Sequence, residues 1–83
     1  MATTEVLIGN VEGLHARPAA ELVRIASNAG LEVKLGRVNQ APVPANSILA
    51  ILGLGLRSGE RITVTVTGPD EAARLAEIVS ILA

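Results

Sequence analysis

Hydrophobic positions change period several times along this chain, and each change predicts an element. Ile62, Val64 and Val66 alternate with Thr63, Thr65 and Thr67, a period of two that predicts a strand with one buried face. Leu31, Val33 and Leu35 alternate in the same way with Glu32 and Lys34. A third apolar run, Val6-Leu7-Ile8, closes at Gly9-Asn10 and predicts a first strand whose facing the imperfect alternation leaves open. Between Val6-Leu7-Ile8 and the Leu31 strand the period lengthens. Ala19, Leu22, Val23 and Ala26 recur at helical spacing, with Glu21, Arg24 and Asn28 opposite, which predicts a helix from about Ala16 to Asn28 ended near Gly30. Pro18 falls in its first turn, where a missing N–H costs nothing, and this sets the helix start close to His15.

Further along, Pro42 and Pro44 interrupt the segment Gln40–Ala45, so any strand there is short and lies at a sheet edge. A short helix is expected from Ser47 to about Leu52, capped by Asn46 or Ala45 and ended by Gly53. Gly68-Pro69-Asp70-Glu71 reads as a helix start, and Ala72, Leu75, Ile78, Val79 and Leu82 supply the apolar stripe of a final helix running to the C-terminus. The order is β-α-β-β-α-β-α. An 83-residue chain lacks the helices to cover both faces of a sheet, so the expected class is α+β, with helices on one face of a mainly antiparallel sheet. Residues 1–83 are expected to form a single domain.

Composition narrows the function classes. Hydrophobic residues make up 49% of the chain and charged residues 18%, with no Phe, Tyr or Trp, so the core must be built from Leu, Ile, Val and Ala. A net charge of −1 offers no field for a polyanion, and the missing aromatics remove the usual stacking platforms, which disfavours nucleic-acid binding. The absence of cysteine excludes disulfides, thiol catalysis and cysteine-ligated zinc. Ile48–Leu56, the longest apolar tract, is about half the length needed to span a bilayer and is broken by Gly53 and Gly55, so no membrane insertion is expected. Met1–Glu5 shows no basic or cleavable apolar segment, and the expected compartment is the cytoplasm.

Candidate chemistry concentrates in Gly13-Leu14-His15-Ala16-Arg17-Pro18, which holds the only histidine. A lone histidine is ordinarily a surface or capping side chain. Zinc needs three or four ligands, and a serine triad needs a histidine held by a carboxylate, so His15 could serve only one member of either site. What remains is a histidine acting alone as nucleophile or proton carrier, since imidazole is partly neutral near pH 7 and forms a reactive phosphoramidate. A helix start adds unpaired N–H groups and a partial positive charge, so the backbone at Ala16 and Arg17 is a ready anion site. Arg17 opposes the helix dipole as a cation in the first turn, a mismatch that an incoming phosphoryl group would relieve. Gly53, Gly55 and Gly59 lack the lysine and hydroxyl residue of a P-loop and read as turn glycines. Ile48, Leu49, Ile51, Leu52, Leu54 and Leu56 exceed what one face of so short a helix can bury, so some are expected to stay exposed.

Gly13-Leu14-His15-Ala16-Arg17-Pro18-Ala19-Ala20 resembles the active-site signature of the histidine-containing phosphocarrier (HPr) family of the bacterial phosphoenolpyruvate-dependent sugar phosphotransferase system. Asn46–Leu54 is similar to the family's regulatory-serine helix, and length and element order match throughout. The resemblance implies an open-faced sandwich of four antiparallel strands and three helices, with the third strand at an edge. It implies that His15 accepts a phosphoryl group on Nδ1 from phosphorylated enzyme I and gives it to a sugar-specific IIA domain, with no metal or cofactor. Arg17 would steady the group, and Ala20, Arg24, Ile48, Leu49 and Leu52 would form the docking surface of a monomer.

Ser47 matches the family's regulatory serine, the target of a kinase in some bacteria, although Asn46 stands where kinase-regulated members commonly carry lysine. No basic residue occurs in the Ser47 helix, so association is expected to lean on apolar contact and depend little on salt. Two other readings share these residues: a dihydroxyacetone kinase or multiphosphoryl relay, and a regulatory module that binds a transcriptional regulator through the Ser47 helix.

Overall fold

The computed structural model describes residues 1–83 as β1 (Ala2–Leu7), α1 (Ala16–Ala26), β2 (Glu32–Arg37), β3 (Val43–Pro44), α2 (Ile48–Gly53), β4 (Arg61–Thr67) and α3 (Glu71–Leu82). The strands form one antiparallel sheet in the order β1-β4-β2-β3. The regular threonine–aliphatic strand is therefore interior, and the proline-bearing one lies at the edge, where a missing N–H is tolerated.

Register puts the aliphatic residues on one face. Val33 pairs with Val66, Leu35 with Val64 and Val6 with Ile62, and all six side chains are buried. On the other face Thr3 faces Thr65 with a hydroxyl hydrogen bond of 3.0 Å, Glu5 faces Thr63, and Lys34 lies on the other side of Thr65. The helices close over the aliphatic face: α3 packs on β1 and β4, while α1 packs between α2 and α3. The result is one core of 17 aliphatic residues with no buried polar side chain. A core with no aromatic ring depends on many small contacts. Each fully buried Leu, Ile or Val contributes about 1.5–3 kcal/mol before the entropy of ordering is subtracted.

Several expectations need correction. β1 begins at Ala2, four residues before the apolar run, because its first half pairs with β4 through backbone bonds that need no apolar side chain. Val6 and Ile8 point inward and Leu7 outward, which resolves the facing. α1 ends at Ala26, where Ser27 caps it by donating its N–H and its hydroxyl to Val23 O, at 2.9 and 2.7 Å. Ile25 joins the buried stripe of α1, whereas Ala72 of α3 is exposed and contributes nothing to the core. The cap of α2 is Ser47 itself, not Asn46 or Ala45: its Oγ accepts the Ala50 N–H at 3.2 Å, while Ala45 is a core residue whose N–H pairs with Val33 O.

Candidate functional site

His15 is the N-cap of α1, in an extended conformation (φ −96°, ψ −171°), with its carbonyl accepting the Ala19 N–H at 3.1 Å. The imidazole makes no capping bond and is 41% exposed, so the ring is free to meet a partner. Leu14, one residue earlier, is buried, and this anchors the chain next to His15. Beyond the cap, the N–H groups of Ala16 and Arg17 have no acceptor and Pro18 has no N–H to offer. Two unpaired donors at the positive end of an 11-residue helix thus stand beside a half-exposed imidazole.

What holds this turn is remote in sequence. Gly13 has φ +75° and donates its N–H to Asn10 O at 2.9 Å, and Leu14 donates to Leu56 O at 3.0 Å. A Cβ on Gly13 would lie 2.5 Å from Leu56 O and 3.0 Å from Arg57 Cα, so only glycine lets the two segments meet so closely. The supporting loop 54–60 is itself tied down by Arg37, at the end of β2. Its guanidinium donates to Leu54 O (2.8 Å), to Gly55 O (3.2 Å) and to both carboxylate oxygens of Glu60. Glu60 also accepts the Arg57 N–H at 2.6 Å. Hydrogen bonding from Arg37, then from the Arg57 backbone, holds the Glu60 carboxyl below its ordinary pKa despite partial desolvation; the same pairing raises Arg37.

α1 packs against α2, and these two helices carry the remaining expected residues. Ile48, Leu49 and Leu52 are exposed, by 36, 79 and 38%, while Ile51 and Leu56 are buried, so the apolar excess of this segment divides between surface and core. Ala20 and Arg24, on α1, are also exposed. No group of three or more His, Cys, Asp or Glu side chains converges anywhere, and no helix is long and apolar enough to cross a membrane.

The family model described as the PTS HPr component phosphorylation site matches residues 2–83. The chain belongs to the HPr phosphocarrier family. It is 40% identical to the phosphocarrier protein HPr of Streptomyces coelicolor over 83 residues, all of this chain and 89% of that protein. It is also 40% identical to HPr of Haloferax volcanii over 72 residues, 86% of this chain and 81% of that one. The crystal structure of HPr-C-His from Thermoanaerobacter tengcongensis superposes with a TM-score of 0.85 at 33% identity, covering 99% of this chain and 91% of that one. An HPr-family protein is a phosphoryl relay of the phosphotransferase system and not an enzyme, and membership implies enzyme I and IIA domains as partners.

Within this HPr fold, sequence reading overlooked three residues at the site. Glu12 places Oε2 at 4.0 Å from His15 Nε2. Arg57 lies on the loop that Gly13 packs against; its guanidinium, like those of Arg17 and Arg24, forms no ion pair within 4.0 Å, although its charge helps to hold the Glu60 carboxyl down. Arg57 thus supplies a cation on the loop that follows the Ser47 helix, which itself carries none. Arg37, the third, braces the loop from the far end of β2. Only the position of Glu12, three residues before the histidine, carried a local signal.

Proposed function

We propose that His15 is the residue of this phosphocarrier that takes and releases the phosphoryl group, through Nδ1. The observation that carries the reading is the half-exposed imidazole at the N-cap of α1, followed by the unpaired N–H groups of Ala16 and Arg17. In the transfer the Nδ1 lone pair attacks phosphorus, the bond between phosphorus and the donor breaks, and its electron pair stays with the donor. The phosphoryl oxygens then lie against donors already oriented by the helix and against the Arg17 guanidinium, which has no other anion to satisfy it. A helix end contributes only about 0.3–1 kcal/mol to such a group. Modest stabilisation suits a carrier that must also give the group away.

Ala20, Arg24, Ile48, Leu49 and Leu52 form the surface that meets enzyme I and IIA domains, an apolar centre edged by unpaired arginines. Residues 1–83 act as a single domain and a monomer in the cytoplasm. Ser47 is the regulatory position on that surface, open to a serine kinase or transcriptional regulator. A phosphate there would sit beyond the first N–H groups of α2, close to where Oγ now accepts from Ala50.

Incubation with phosphoenolpyruvate and enzyme I, followed by mass spectrometry under non-acidic conditions, tests the assignment. A single acid-labile phosphoryl adduct on His15, lost in His15→Ala, is the expected result. Labelling that persists in His15→Ala overturns it.

A further inference from the structure

Glu12 and His15 flank one backbone turn, with side chains 79 and 41% exposed. Three main-chain hydrogen bonds hold it: Gly13 N–H to Asn10 O, Leu14 N–H to Leu56 O, and His15 N–H to Gly13 O, at 2.9, 3.0 and 3.1 Å. The positive φ of Gly13 turns the chain between the two residues. Across this turn Glu12 Oε2 lies 4.0 Å from Nε2, a charge contact through space and not a hydrogen bond. Glu12 makes no hydrogen bond, and the imidazole is its one ion-pair neighbour; Arg17, Arg24 and Arg57 form no ion pair with it. The carboxylate side of the ring and the nucleophilic side are thereby separated.

We propose that Glu12 is a positioning residue for phosphoryl transfer, which keeps the imidazole proton on Nε2 and leaves the Nδ1 lone pair open to the donor. The inference rests on His15 being the phosphoryl acceptor. Imidazole with its proton on one nitrogen has its lone pair on the other, so a carboxylate beside Nε2–H favours the reactive tautomer. When Nδ1 bonds to phosphorus, the ring becomes a phosphoimidazolium that still carries the Nε2 proton and a positive charge. Glu12 stabilises that charge, and no proton has to move. In the onward step the Nδ1–phosphorus bond breaks, its electron pair returns to Nδ1, and neutral imidazole with the same Nε2 proton departs. The protonated ring is the better leaving group, so the carboxylate also keeps the phosphoryl group transferable.

Two measurements on Glu12→Ala test this, with thermal unfolding as a check that the exposed substitution leaves the fold intact. Long-range ¹H–¹⁵N spectra of the unphosphorylated protein read the tautomer directly, and the share of ring protonated at Nδ1 should rise in the variant. The half-life of the phosphorylated protein at pH 7 should lengthen by about two- to fivefold, the range expected for a solvent-exposed ion pair. Both changes support the proposal; an unchanged tautomer ratio or an unchanged or shorter half-life overturns it. If wild-type protein takes no phosphoryl group on His15, the acceptor assignment fails instead, and the tautomer spectrum still decides whether Glu12 acts on the ring.

Discussion

Arg37 grips Glu60 with two hydrogen bonds, Nε to Oε1 at 2.7 Å and Nη2 to Oε2 at 3.1 Å, across 23 positions of sequence. In the sheet register Arg37 is paired with Ile62, on the face where the neighbouring pairs are aliphatic. There the guanidinium also donates to the Leu54 and Gly55 carbonyls, so the ion pair joins the end of α2 to the start of β4. Leu56, inside that span, is the residue that receives the Leu14 N–H below His15. A charge pair at the sheet end therefore supports the loop on which the histidine turn rests.

Acid should weaken this brace. Glu60 is held below its ordinary pKa of 4.5 in the folded protein, so the stability it contributes is fully present above that value and is lost as pH falls through the lower folded value. Thermal midpoints measured from pH 7 down to pH 3 should decline below about pH 4.5. Glu60→Gln should have a lower midpoint at pH 7 and a shallower decline; parallel curves for the two proteins would contradict this role.

Gly13→Ala should damage the fold and the site together. The new Cβ meets Leu56 O at 2.5 Å in a backbone with φ +75°, so the loop must move or the residue must change conformation. Strain at such a φ costs on the order of 1–3 kcal/mol. Denaturant titration should show that loss, and the initial rate of labelling by enzyme I should fall because Leu14 loses its seat. A variant with wild-type stability and labelling would show that the close approach is dispensable.

Ser47→Ala removes the only side-chain cap of α2 and should cost about 0.5–2 kcal/mol. His15 labelling should stay close to wild type, since Ser47 makes no hydrogen bond to the imidazole turn. A larger loss of labelling than of stability would assign Ser47 a direct part in the encounter with enzyme I.

Leu49→Asp should separate docking from folding. Leu49 is 79% exposed, so the change in folding stability should stay within about 0.5 kcal/mol. Burying an unpaired carboxylate in an apolar contact is costly, and affinity for enzyme I should fall at least about tenfold by calorimetric titration. Unchanged affinity would remove α2 from the docking surface. Arg57→Ala, by contrast, should weaken the salt dependence of association more than the affinity at high salt.

Much of the fold was legible because its signals are local. Alternation in Ile62–Thr67 and Leu31–Leu35 needs only a chain with one wet face, and the four-strand, three-helix order follows from such patterns read in turn. His15, Ala16 and Arg17 are contiguous, and Pro18 marks the helix start beside them, so the centre of the site could be found without a fold. The choice of cap for α2 was missed because Asn46 is as good a capping residue as Ser47. Pairing of Ala45 with Val33, a tertiary contact, sets where the helix starts.

By itself, then, the sequence determined the elements, the aliphatic core and the histidine at a helix start, all properties carried by periods of a few residues. Tertiary structure alone decided which apolar residues of the Ser47 helix face solvent, that Leu56 seats Leu14, and that Arg37 reaches Glu60. It also decided that Glu12 Oε2 lies 4.0 Å from His15 Nε2. Those relationships depend on distances between segments far apart in the chain, or on which way a turn folds. Hydrophobic pattern sets which face is buried but leaves those distances to the packing of the whole core.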